Sequence, residues 1–129
     1  MNHEESFVRA FIVPEKRSRY LELLKNPKRR REILARLNHH LDYDASLATE
    51  ISGADASLEN LEQLLRSKGA GDVCHVMGDQ LELDGQEVTL AEGLEAVQSH
   101  DFGAAILCVS GRLAYYKPEA PANGVILEK

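Results

Sequence analysis

Residues 104–109, Ala-Ala-Ile-Leu-Cys-Val, form the longest uninterrupted apolar run of the chain, and no other feature limits its fold as strongly. The run is too short to cross a bilayer, which takes roughly 20 residues in a helix. Bounded by Gly103 and by Ser110-Gly111, it reads instead as a strand buried on both faces, at the centre of a sheet. Such a strand needs covering layers, and 129 residues supply them. A chain of this length buries roughly two-thirds of its unfolded surface and has the usual size of one domain. Residues 1–129 are therefore read as a single globular domain that needs no metal or disulfide staple.

The other segments supply further strands and the covering helices. Residues 6–13, Ser-Phe-Val-Arg-Ala-Phe-Ile-Val, are aromatic and branched and stop at Pro14, the pattern of a first strand. Residues 15–25 carry Tyr20, Leu21 and Leu24 at helical spacing. Pro27 ends that helix and suits the first turn of the next, residues 28–41, where Ile33, Leu34, Leu37 and Leu41 make one apolar stripe. Arg30 points toward this stripe and is expected to reach water along its stem. Glu32 stands four residues from both Lys28 and Arg36 and can pair with each.

A short strand at 47–52, a helix capped by Asp55 or Ser57 and closed at Lys68-Gly69, and a strand at 72–77 make a strand–helix–strand unit, a hint of parallel pairing. Asp84-Gly85, between residues 81–83 and 86–88, is a hairpin signal. Thr89-Leu90-Ala91-Glu92 is a capping box that opens a helix with Leu90, Leu94 and Val97. A second hairpin at Ser110-Gly111 leads into residues 112–116, and residues 125–127 are read as a short strand at an edge. The expectation is α/β, with α+β as its variant: a mixed sheet of about five to seven strands and about four helices, ordered β-α-α-β-α-β-hairpin-α-β-β-β.

Charge is distributed unevenly along this order. The net charge is -6, yet residues 1–45 hold 10 Lys+Arg against 7 Asp+Glu, a local +3, and the remainder carries −9. Residues 25–36, which open on Lys25 and close on Arg36, contain the run Lys28-Arg29-Arg30-Arg31. Arginine presents a planar fork of donors to phosphate or carboxylate, and a helix start adds partly positive N–H groups. About 100° per residue places Arg29, Arg36 and His40 on one helix flank. These three, with Arg31 and Lys28, are the candidate binding residues. The partner they suit is an acidic protein or a small anionic ligand. Nucleic acid is the weaker alternative, because the net charge is negative and only 5% of residues are aromatic, with no Trp for stacking. The same split allows a homodimer in which basic helices face acidic segments.

Residues suited to catalysis are sparse. Cys74 and Cys108 lie in apolar, strand-like segments outside any C-x-x-C pair, as buried thiols of a reducing cytoplasm do. No basic and apolar leader opens the chain, which also fits the cytoplasm. His39 and His40 are adjacent on a helix and do not converge on one metal. No phosphate loop, dinucleotide fingerprint or nucleophile elbow occurs. No cofactor or metal is expected. The sequence favours a non-enzymatic binding module over an enzyme. Its alternatives are a small hydrolase or transferase using His75 or Cys108 at central strand ends, and nucleic-acid binding through residues 25–36.

Overall fold

The structure, a computed structural model, describes residues 2–39, 41–51, 53, 57–79, 81–119 and 123–129, and it opens on a helix. α1 (His3–Phe11) stands where residues 6–13 predict a strand. Local chemistry explains the correction. The Asn2 side chain accepts the Glu5 N–H at 2.8 Å, and Glu4 and Glu5 occupy the first turn beside the positive end of the helix dipole. Phe7, Val8, Ala10 and Phe11 then form one buried helical stripe that overrides the strand preference of Phe and Val. Only Ile12, bridged antiparallel to Tyr43, keeps an extended pairing.

α2 (Pro14–Lys25) follows as its spacing predicts, whereas α3 (Arg30–His39) is shorter than the expected 28–41, with Leu41 outside it. A 3-10 turn at Pro27–Arg29 joins them, with the Lys28 N–H donated to the Asn26 side chain at 3.0 Å. α4 (Leu58–Ser67) is capped by Ser57, whose hydroxyl accepts the Asn60 N–H; Asp55, the other expected cap, lies outside the described residues. α5 (Leu90–Gln98) starts at the predicted box, where Thr89 Oγ1 accepts the Glu92 N–H at 3.1 Å and donates to Glu92 Oε1 at 2.9 Å.

The strands are β1 (Ala48–Glu50), β2 (Val73–Gly78), β3 (Glu87–Thr89), β4 (Ala104–Val109), β5 (Leu113–Lys117) and β6 (Val125–Glu128). They form one open sheet in the order β1-β6-β5-β4-β2-β3, with antiparallel pairing throughout. Among the described residues the α/β expectation holds, with six strands and five α-helices, and β4 is the interior strand its apolar run predicts. Three finer expectations change. The hint of parallel pairing fails, because β1 joins β6 and lies four strands from β2. The last strand, β6, is not at an edge, since β1 covers it. Residues 81–83 are not a strand; β3 pairs with β2 itself, and Gly85, at φ 78°, turns the intervening loop.

Alternation along the strands divides the interior in two. Met77, Ala105, Leu107, Ala114 and Tyr116 pack beneath α1, α2 and α3. Cys74, Val76, Ile106, Cys108 and Tyr115 pack beneath α4 and α5. Tyr115 and Tyr116 are thus both buried, on opposite faces of the sheet. The molecule is helices, sheet, helices. Among the described residues no helix is long and apolar enough to cross a membrane.

Candidate functional site

The basic segment folds as a helical hairpin whose inner charges neutralise one another. Arg29 Nε donates to Glu32 Oε2 at 2.6 Å and approaches Glu22 at 4.0 Å, while Arg19 reaches Glu22 and Glu32 at 3.8 Å. Glu32 therefore serves Arg29 and Arg19, not Lys28 and Arg36. Glu32 also holds the Arg29 guanidinium above its usual range. Lys28 and Arg29 lie in the 3-10 turn, ahead of the helix that carries Arg31 and Arg36. His40 lies outside the described residues.

Lys25, Lys28, Arg31 and Arg36 are exposed, and none has an ion-pair partner among the described residues. A cavity of about 420 Å³ beyond the end of α3 is lined by Leu41, Asp42, Tyr43 and Tyr116, among others. A cleft of about 380 Å³ lies beside the start of α1. Neither is lined by Lys28, Arg29, Arg31 or Arg36.

Arg30 departs most from its expected setting. Rather than reaching for water, its Nη1 and Nη2 donate to the two carboxylate oxygens of Glu4, the latter at 2.9 Å. Its Nε and Nη2 also donate to Asp84 Oδ2 and Oδ1, at 3.1 and 2.8 Å. Asp84 Oδ1 further accepts the Gly78 N–H at 3.1 Å. Glu4 Oε2 in turn accepts from His75 Nε2 at 2.6 Å, and the His75 ring stacks on that of His3 with centroids 5.7 Å apart.

Burial pushes the Glu4 carboxyl up, but hydrogen bonds from His75 and Arg30 outweigh it and hold the group down at about 2. Those Glu4 bonds, with Asp84 adding to them, raise the Arg30 guanidinium against its own burial. Burial, and then the neighbouring His75, lower the His3 imidazole, whose Nδ1 is buried without a hydrogen-bond partner among the described residues. His3, Glu4, Arg30 and His75 line the 380 Å³ cleft, and with Asp84 they bind α1, α3, β2 and the β2–β3 loop to one another. Sequence reasoning missed the set. Glu4, Arg30, His75 and Asp84 are far apart along the chain and share no motif; the single legible trace was an arginine on an apolar helix face.

The Cys108–His75 constellation is not assembled. His75 is in register with Leu107, so it belongs to the α1–α3 face, whereas Cys108 packs beneath α4 and α5. Burial pushes the Cys108 thiol up to about 12, and burial with nearby Glu87 and Glu92 pushes Cys74 up to about 11. At neutral pH both are protonated and poorly nucleophilic. Among the described residues no three His, Cys, Asp or Glu side chains are placed to hold a metal ion.

Fold and surface define a three-layer α/β/α protein with a basic helical hairpin on one outer layer. Against known proteins, the chain matches no family model, no curated protein and no solved structure.

Proposed function

We propose that this chain is a non-enzymatic binding module whose α2–α3 hairpin engages an acidic macromolecular surface through Lys25, Lys28, Arg31 and Arg36. One observation carries the reading. Arg19, Arg29 and Arg30 are neutralised by carboxylates, while these four cations project from the same hairpin with none in ion-pair reach among the described residues. A small anion is the less suitable ligand, because among the described residues neither the 420 Å³ cavity nor the 380 Å³ cleft is lined by these side chains. A protein carboxylate surface suits them better than nucleic acid, since only 5% of residues are aromatic and Trp is absent, which leaves few platforms for stacking bases.

Titration with polyglutamate, mixed-sequence RNA and duplex DNA tests this at about 50 mM salt and again at higher salt. Polyglutamate is expected to bind, with affinity falling as salt rises. Lys28→Glu with Arg31→Glu is expected to weaken it by about tenfold or more, equivalent to about 1.4 kcal/mol. Absence of polyglutamate binding at the lower salt overturns the reading, and tighter binding to RNA or DNA replaces it with nucleic-acid recognition.

A further inference from the structure

The acidic surface best matched to the hairpin lies beside it on the same molecule. Asp84, gripped by Arg30, belongs to the β2–β3 loop, and a Cβ placed on Gly85 would stand 3.9 Å from Arg30 Nη2. The loop is thus set directly against the start of α3. Glu82, earlier in that loop, and Glu87, the first residue of edge strand β3, are exposed and have no ion-pair partner among the described residues. Glu87 is in register with His75, so it projects on the face of the sheet that carries α1, α2 and α3. At the Arg30 end of the bridge, Lys28 and Arg31 stand on either side of Arg30 along the chain, exposed and without an ion-pair partner among the described residues. Two patches of opposite sign therefore meet along this bridge.

We propose that this surface is a docking site for a second copy of the chain, forming a two-fold dimer in which Lys28 and Arg31 of each protomer face Glu82 and Glu87 of the other. The inference rests on the basic-hairpin reading and names its partner. Adjacent patches of opposite sign are self-complementary under a two-fold axis that passes between them, perpendicular to the line joining them: such a rotation lays each positive patch on the partner's negative one. The result is a closed pair rather than a filament. Charge complementarity of this kind fixes orientation and partner choice more than it adds affinity, so the dimer is concentration-dependent. At an ionic strength of about 0.1 M the Debye length is near 10 Å, which screens the net negative charge of two copies while leaving contact pairs effective; at about 1 M it falls to roughly 3 Å and contact pairs weaken too.

Sedimentation velocity over a concentration series tests the proposal. The wild-type chain is expected to double its mass in about 0.1 M salt and to return toward the monomer in about 1 M. Lys28→Glu with Arg31→Glu makes both patches negative, and Glu82→Lys with Glu87→Lys makes both positive; each variant alone is expected to stay monomeric. Mixed in equal amounts, the two are expected to recover the dimer mass, an outcome that misfolding of either cannot produce. A wild-type chain that remains monomeric throughout, or a mixture that fails to pair, overturns the dimer. If polyglutamate still binds in that case, the basic hairpin stands and its partner is another protein. If polyglutamate also fails, both readings fall.

Discussion

At the scale of single residues, Gly103 shows how little space separates the helical layer from the sheet. A Cβ there would lie 2.0 Å from the Leu37 carbonyl oxygen and 2.8 Å from the Asn38 Cα, both backbone atoms of α3. The Gly103 N–H donates to the Asn38 side chain at 2.6 Å, and the Tyr116 hydroxyl donates to the Leu37 carbonyl at the same distance. The end of α3 is therefore pinned where β4 begins, and it cannot withdraw without breaking both bonds. Gly103→Ala is expected to lower stability by about 3 kcal/mol or more, whereas Gly71→Ala, with nothing within 4 Å of its Cβ, is expected to be close to neutral. Urea unfolding of the two variants checks the contrast. The sequence shows Gly103 only as the boundary of an apolar run; its contact with a residue more than 60 positions earlier is not legible there.

At the scale of elements, the legible features were those made within one turn of chain. Ser57 and Thr89 cap their helices as their spacing predicts, because a cap bonds an N–H only three residues ahead. Thr89→Ala is expected to cost about 1 kcal/mol, and Thr89→Ser to retain most of it; the shift in urea midpoint measures both. The misread element was α1. Its Phe and Val content favours a strand, while the Asn2 cap and the Phe7, Val8, Ala10 and Phe11 stripe favour a helix. Those four side chains are buried under the helical reading, and burial in the tertiary fold decides the competition. Residues 81–83 were misread for the opposite reason: the Asp84-Gly85 turn is real, but Asp84 is drawn into bonds with Arg30 and Gly78, so β3 pairs with β2.

At the scale of the whole molecule, the contacts of Glu4 with His75 and Arg30, and the burial of His3, make stability depend on acidity. Glu4 titrates at about 2 when folded, against 4.5 unperturbed, so its contribution is complete above pH 4.5 and is lost as pH falls toward 2. His3 is held below its unperturbed 6.5, so the unfolded chain takes up that proton more readily and stability also declines as pH falls through that value. The groups facing these two are His75, Arg30 and Glu87. Stability is expected to be greatest near neutrality and to fall in two stages on acidification. Glu4→Gln is expected to flatten the lower stage and leave the upper, as followed by urea midpoints across the acid range. An unchanged lower stage in Glu4→Gln contradicts the assignment.

By itself the sequence determined the interior strand at 104–109, the helices 14–25, 58–67 and 90–98 to within a residue or two, and the segregation of positive charge into the first third of the chain. Each rests on interactions among near neighbours, or on composition, and both are present before the chain folds. Only the tertiary structure decided the antiparallel order β1-β6-β5-β4-β2-β3, the helical state of α1, and the meeting of Glu4, Arg30, His75 and Asp84. These depend on which distant segments come together. The entropy of closing a loop changes slowly with its length, so separation along the chain says little about which partner a strand or an arginine will take. Packing and ion pairing in the assembled layers make that choice.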